Sequence, residues 1–269
     1  MNASTENFIG IEDLDAPIYR IFSFDRFCEL LQSGNLVLVE PRLWEDPLEN
    51  VLMNCAILDT SKTPYGQHFF HEIRQPIYAQ CWSMTKESDT LLRAYSIVKK
   101  NTSGRNKFRE LEGVQVKSTP RKLLEALWSA VPTHQADTCF FGKVKYQPEA
   151  EFLRYFNDEI VSQRLQAFDG GLGQARSVLH KRDPFSYENE VRLIYVGNKS
   201  QQSSSGIFCI PVKPNVLFDE VLVDPRLATG ERLERAEEIR KLGFSGPIET
   251  DSRFYKKFLF EIPLDLGAK

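Results

Sequence analysis

The chain has 269 residues, of which 42% are hydrophobic and 26% charged, with a formal net charge of −3. That is enough chain for one large domain or two modest ones around a substantial core, at an ordinary globular composition. The slightly acidic balance gives no argument for broad nucleic-acid binding, and five scattered cysteines without a CxxC pair argue against a disulfide framework or zinc site.

Residues 1–16 read as a flexible leader. Met1 to Asn7 lacks the basic region and apolar core of a signal peptide. No stretch approaches the roughly 20 apolar residues of a membrane span, so the expected location is the cytoplasm. Ile18-Tyr19-Arg20-Ile21-Phe22 predicts a first strand. Ser23 then caps a helix whose apolar positions Phe24, Phe27, Leu30 and Leu31 fall at helical spacing, closed by Ser33-Gly34. Leu36 to Val39 predicts a second strand, and Pro41 to Pro47 a turn-rich connection. Residues 48–60 and 66–77 are expected to form short helices. Ile77 to Ser83 reads as a strand, and a helix starts at Leu91 to Tyr95.

Val114 to Lys117 precedes a helix near Pro120 to Trp128, capped by Ser118 or Thr119. Phe140 to Tyr146 predicts a strand, and residues 149–168 a helix, with a flexible Asp169-Gly170-Gly171-Leu172-Gly173 after it. Tyr187 to Val196 is rich in branched and aromatic residues and predicts a strand closed by Gly197-Asn198. Lys199 to Gly206 reads as a plain hairpin connection to a strand over Ile207 to Val212, followed by Val221 to Val223. A charged amphipathic helix between Thr229 and Leu242 stops at Gly243. Strands and helices alternate irregularly, so the fold expected is α+β. It is a single domain over residues 17–262, with a central, mostly antiparallel β-sheet, continuous or split, flanked by helices and followed by a tail at 263–269.

The candidate chemistry is sparse. His68 and His71 have no HExxH pattern or carboxylate pair beside them and read as a surface pair. There is no phosphate-cradling GxxxxGK[ST] loop and no GxSxG elbow, and Gly170 to Gly173 lacks the strand-to-helix setting of a dinucleotide fingerprint. Arg20 on the first strand can hold a phosphate or carboxylate by its planar fork, or pair with a glutamate. Ser83, ending its strand, can orient a ligand. Trp44-Glu45-Asp46-Pro47-Leu48-Glu49 is either a dense carboxylate turn or simply a helix start, with Asp46 as cap and Pro47 at the first position. Alternation along the 187–196 strand puts Glu188, Glu190 and Arg192 on one face. Such charges need water, partners or a ligand, and two neighbouring carboxylates favour a raised pKa for one of them.

Together, Ile18 to Ile21, the helix to Ser33-Gly34, Leu36 to Leu38, the Trp44 to Glu49 turn, Cys81-Trp82-Ser83 and Tyr187 to Arg192 resemble a bacterial family known as a domain of unknown function, whose hallmark is an FNDPFE-like turn. The resemblance spans residues 17–260 and departs from the hallmark at Trp44, Glu45 and Leu48. It implies no activity by itself.

The order of a strand with Arg, a helix ending in Gly, a strand with Ser and a late Glu-x-Glu is also similar, more distantly, to the ADP-ribosyltransferase superfamily, and most to toxins that modify nucleic acid. That similarity implies NAD as substrate and a protein or nucleic-acid acceptor, in a toxin or phage-defence effector, with no metal. It implies that Tyr19 and Arg20 meet NAD, that Ser83 borders the nicotinamide pocket with Trp82 or Tyr95 stacking there, and that Glu190 acts on the ribose with Glu188 as accessory acid. Two other readings stand beside it. One is a non-catalytic module that binds a nucleotide or a partner, with Glu188 and Arg192 as a structural pair. The other is a metal-dependent hydrolase or nuclease built on Asp46, Glu49, Glu188 and Glu190, since clustered carboxylates suit a divalent ion.

Overall fold

The computed structural model describes residues 7–44, 46, 48–49, 56–59, 61, 63–64, 66–69, 75–158, 171–198, 203–251, 261 and 263. In chain order the elements are β1 (Phe8–Ile9), β2 (Ile18–Ser23), α1 (Phe24–Ser33), β3 (Asn35–Val39), β4 (Ala56–Asp59), β5 (Gly66–Phe69), β6 (Ile77–Ser83) and α2 (Asp89–Tyr95). Then come β7 (Gly113–Ser118), α3 (Pro120–Ala130), β8 (Cys139–Lys143), β9 (Lys145–Gln147), α4 (Glu149–Asn157), α5 (Gly171–Ser177) and β10 (His180–Arg182). The chain continues through β11 (Glu190–Val196), β12 (Ile207–Pro211), α6 (Pro214–Leu217), β13 (Glu220–Val223), α7 (Thr229–Lys241) and β14 (Ile248–Glu249).

Local signals explain several of these elements. Phe24, Phe27 and Leu30 form the buried stripe of α1, and Gly34 ends the helix in the left-handed region (φ 64°), returning its N–H to the Leu30 carbonyl at 2.9 Å. Thr119 is the residue that caps α3, its hydroxyl accepting the Lys122 N–H, with Pro120 at the first helical position.

The main sheet runs β1-β8-β11-β6-β2-β7-β13-β14, antiparallel except at its two ends, where β1 pairs β8 and β13 pairs β14 in parallel. It branches at β6. Ser83 of β6 pairs Tyr19 of β2, whereas Ala79 pairs Val39 of β3, and β3 carries β12 on its far side. One sheet face meets α1 and α3 through Tyr78, Trp82, Val114, Val116, Phe141, Val191, Leu193 and Tyr195. The other face is covered by α5 and the residues just after it, where Ala175, Val178 and Leu179 pack on Ile77, Ala79, Phe140, Ile194 and Val196. This is the mostly antiparallel α+β domain expected, in its split form.

Several local expectations are corrected. Within the helices expected over 48–60 and 66–77, residues 56–59 and 66–69 are the paired strands β4 and β5 and Ile77 opens β6, while Leu48 and Glu49 lie in a 3-10 turn and most of the remainder is outside the described residues. His68 lies on β5, and His71 is outside the described residues. The strand over Phe140 to Tyr146 is two strands that part at Val144. Lys199 to Gly206 joins no hairpin, because β12 pairs β3 instead of β11. Gly171 to Gly173 opens α5, and within the expected leader Phe8 and Ile9 pair with Phe141 and Gly142. The helix expected over 149–168 is described to Asn157. Cys209 is exposed, while Cys139 is buried and Cys55 lies outside the described residues.

Gly142 shows how closely the second face is packed. It sits opposite Arg192 in the β8–β11 ladder, and a Cβ there would overlap the side chain of Leu179. Gly142→Ala is therefore expected to lower the unfolding free energy by about 1–3 kcal/mol, the cost of overpacking a filled core. Denaturant unfolding measures it; an unchanged midpoint would show that Leu179 has room to move.

Candidate functional site

The branch in the sheet creates the site. Since β2 pairs β6 only at Tyr19 and Ser83, and β3 pairs it only at Ala79, the edge of β6 from Trp82 to Gln80 lacks a strand partner on that side. Side chains fill the gap. The Arg20 guanidinium donates to the Cys81 carbonyl, and the Gln80 amide donates to the Val37 carbonyl at 2.9 Å. A cleft of about 730 Å³ opens along this fork, a size typical of small-molecule sites.

Alternation alone would separate two of the expected residues. Tyr19, Ser83, Cys81, Glu190 and Arg192 stand opposite one another in the ladders and share one face, while Arg20 follows Tyr19 and starts toward the other. The fork removes that separation, and Arg20 lines the same cleft as Ser83 and Glu190. Its Nε is buried without a hydrogen-bond partner, its guanidinium carbon lies 5.0 Å from the Phe22 ring centre, and burial holds its pKa below the ordinary arginine value.

A compact ionic cluster forms one wall of the cleft, with Arg192 behind it. Arg192 is completely buried. Its Nε and Nη2 each donate at 2.8 Å to a different oxygen of Glu190, its Nη1 donates to the Val178 carbonyl at 2.6 Å, and its Nη2 also reaches Glu49. Trp44 covers it, with the guanidinium carbon 4.3 Å from the ring centre. Lys181 stands next to it, bonded to Glu49 at 2.8 Å, to Glu188, and to Glu190 at 3.4 Å. Asp46 pairs Arg182 at 3.1 Å, and its side chain accepts the Leu48 N–H at 3.0 Å, so the Trp44 to Glu49 turn clamps onto β10 and β11.

The electrostatics of the two acids diverge. Burial alone would raise the Glu190 carboxyl, but the Arg192 guanidinium and then the Lys181 ammonium outweigh it and hold the group at about 2. Glu188 goes the other way: burial first, then the charges of Glu190 and Glu49, raise it, and together they outweigh the lowering by Lys181. Burial also pushes the Cys81 thiol well up, which keeps it protonated beside Glu190.

The cleft is lined by Tyr19, Arg20, Trp82, Ser83, Tyr95, Glu188 and Glu190, so the expected residues are brought together. Their surroundings differ from the simple strand picture. The strand begins at Glu190. Glu188 ends a short 3-10 turn and is followed by Asn189 in the left-handed region (φ 44°), so Glu188 reaches the cluster from outside the ladder. Trp82 is 2% exposed and donates its indole N–H to Gln80 within the core, whereas Tyr95 is 54% exposed. The Ser83 hydroxyl donates to the Glu188 carbonyl at 2.7 Å and accepts the Thr85 N–H at 3.0 Å. Tyr19 is nearly buried. Sequence reasoning missed Lys181, Arg182 and Phe185. Their one local signal is a basic pair on a three-residue strand before Asp183-Pro184, which is equally the signature of a turn.

The four carboxylates of the metal reading do lie together, but their oxygens face ammonium and guanidinium groups. Among the described residues no group of three or more His, Cys, Asp or Glu is arranged to hold a metal ion, and no helix is long and apolar enough to cross a membrane.

No protein-family profile matches the sequence, and no curated protein matches it. The chain is similar to solved structures of Thermus sp. 2.9 DarT. With DarT in complex with ADP-ribosylated ssDNA the identity is 13%, the match covers 90% of this chain and 97% of that one, and the TM-score is 0.39. With DarT in complex with NAD+ the figures are 13%, 92%, 100% and 0.36, and with carba-NAD+ 13%, 91%, 100% and 0.38. At TM-scores this low the likeness carries no argument about activity.

Arg192→Met would leave Glu190 and Glu49 buried beside an apolar group, and is expected to cost about 3–5 kcal/mol of stability by denaturant unfolding. Acid adds a second expectation. The folded pKa of Glu190 lies below its unfolded value of 4.5, so its stabilisation is complete above about 4.5 and is lost as pH falls toward about 2. The wild-type melting temperature should therefore fall more steeply over that window than that of Glu190→Gln. Parallel slopes would show that the pair does not stabilise the fold.

Proposed function

We propose that the chain is an NAD-consuming ADP-ribosyltransferase that modifies a macromolecule. The observation that carries the reading is the meeting of Arg20, Ser83, Tyr95, Glu188 and Glu190 on one cleft at the fork of the sheet. Arg20, with a buried Nε lacking a partner, would hold the pyrophosphate of NAD. The exposed ring of Tyr95 would stack on the nicotinamide, with Tyr19 and Trp82 supporting the wall behind it.

Cleaving the glycosidic bond passes through an oxocarbenium-like state, as in glycoside hydrolysis. Nicotinamide leaves with the bonding electron pair, and C1′ of the ribose becomes cationic. Glu190, kept ionised by Arg192, would stabilise that cation. The acceptor's nucleophile then bonds C1′ and gives its proton to Glu188, whose raised pKa suits a general base. A place as a toxin or phage-defence effector is supported by the sequence resemblance alone.

One observation favours a second reading, a non-catalytic module binding a nucleotide or partner. Both oxygens of Glu190 are already held by Arg192, as they would be in a purely structural pair. The carboxylate hydrolase is the least supported, since the cations of Lys181, Arg182 and Arg192 occupy the positions a divalent ion would take.

The two leading readings separate by calorimetry with NAD, followed by turnover assays. The transferase predicts saturable binding that Arg20→Ala weakens by tenfold or more, corresponding to a loss of about 1.4 kcal/mol. It also predicts turnover that Glu190→Gln abolishes while the protein stays folded. Turnover at the wild-type rate in folded Glu190→Gln, or no binding at millimolar NAD, would overturn it.

A further inference from the structure

We propose that Lys181 is a positioning residue of this site, which fixes the Glu188 side chain with one oxygen bonded and the other turned free for the reacting group. The inference rests on the NAD reading above and adds to it the residue through which Glu188 is aimed.

Lys181 lies on β10, paired to Tyr146 of β9, and is 6% exposed. A buried ammonium needs a counter-charge, and one carboxylate would serve for neutrality. Lys181 has three within reach: Glu49, Glu188 and Glu190. They do not depend on it equally. Glu190 has Arg192 on both oxygens, and Glu49 also binds Arg192. Among the described residues, the Lys181 ammonium is the one side-chain partner of the Glu188 carboxylate, bonded through Oε2. Oε1 has none.

The backbone explains why Glu188 needs such a tether. Glu190 is held by its ladder, with its N–H donated to the Tyr146 hydroxyl at 2.9 Å. Glu188 precedes the left-handed Asn189 and has no ladder partner. The Ser83 hydroxyl fixes its carbonyl, and Lys181 fixes its carboxylate. Phe185, with its ring centre 4.8 Å from the Lys181 Nζ, covers the ammonium. Lys181 itself exchanges no proton: burial would lower its pKa, but Glu190, Glu49 and Glu188 together outweigh burial and keep it charged. The proton from the acceptor goes to Glu188, while the acceptor–C1′ bond forms and nicotinamide departs with its electron pair.

The charged and titratable groups facing Glu188 are Lys181 from β10, Glu49 from the turn after β3, Glu190 and Arg192 from β11, Tyr95 from α2 and Tyr146 from β9. Lys181 lowers the Glu188 pKa, and Glu190 and Glu49 raise it. The base form of Glu188 is the active one, so its ionisation sets the acid limb of the pH–rate profile.

The experiment measures NAD turnover against pH for the full chain, with Lys181→Met, Lys181→Arg and Glu49→Gln, alongside melting temperatures. Lys181→Met should lower kcat by about 100-fold, the scale of a misplaced reacting group, leave KM for NAD within about twofold, and move the acid limb to higher pH. Lys181→Arg should restore the limb and most of kcat. Glu49→Gln should move the limb the opposite way, to lower pH, and if Lys181→Met does not fold, Lys181→Gln takes its place with the same loss of kcat and the same shift of the limb expected. Limbs that stay in place while melting temperatures fall would assign Lys181 to stability and overturn this inference alone. A wild-type chain with no NAD turnover would overturn it together with the reading beneath it.

Discussion

Arg192 is the point at which separate parts of the chain are joined. A guanidinium removed from water is tolerable only if its donors meet acceptors, and the acceptors here come from distant stretches. Glu190 belongs to its own strand, Glu49 to the turn after β3, and Val178 to the segment before β10, while Trp44 covers the group from outside. The central strand, the carboxylate turn and the cover of the second core are thus tied at one side chain. Gly142 opposite leaves the space that Leu179 fills, which keeps the Val178 carbonyl close to Arg192. Such a pair contributes less to net stability than its short contacts suggest, because desolvation offsets much of the attraction. What the structure shows is that one guanidinium has its donors met by three separate stretches of the chain.

The cleft follows from a second constraint, that backbone polar groups removed from water must find partners. Where β2 and β3 leave β6 from opposite ends, the exposed edge is bonded by the side chains of Arg20 and Gln80. An arginine used in this way stays close to the cleft and keeps donors in reserve. The same fork that weakens the sheet therefore places a cation on the cleft that Glu190 of β11 and Glu188 of the turn before it also line, and fold and site share one cause.

Much of this was legible in the sequence where the signal is local. The stripe and glycine stop of α1, the cap of α3 and the branched residues of β11 each announce themselves within a dozen residues. The misreadings arose where partners are remote. Residues 56–59 and 66–69 carry no strong alternation, and only their pairing makes them strands. The loop before β12 looked like a hairpin because nothing nearby shows that β12 belongs with β3. At the site, residue types were readable but their duties were not. Strand periodicity grouped Glu188 with Glu190 and Arg192, and they do meet, although Glu188 arrives from a turn. Lys181 was invisible because its importance comes from Glu49 and Glu188, far off and near, converging on one ammonium.

The left-handed Asn189 has a consequence for how such a site can change over time. A residue with φ near 44° breaks the mechanical continuity between the turn before it and the strand after it. Insertions or exchanges in the segment from Asp183 to Tyr187 can move Glu188 without shifting the register of β11, and so without disturbing Glu190 or the buried Arg192. Glu190 is held by the ladder itself, and Glu188 by the Ser83 hydroxyl and the Lys181 ammonium. Exchanges in that turn would act on the placement of Glu188 first, while the ladder goes on holding Glu190 and Arg192.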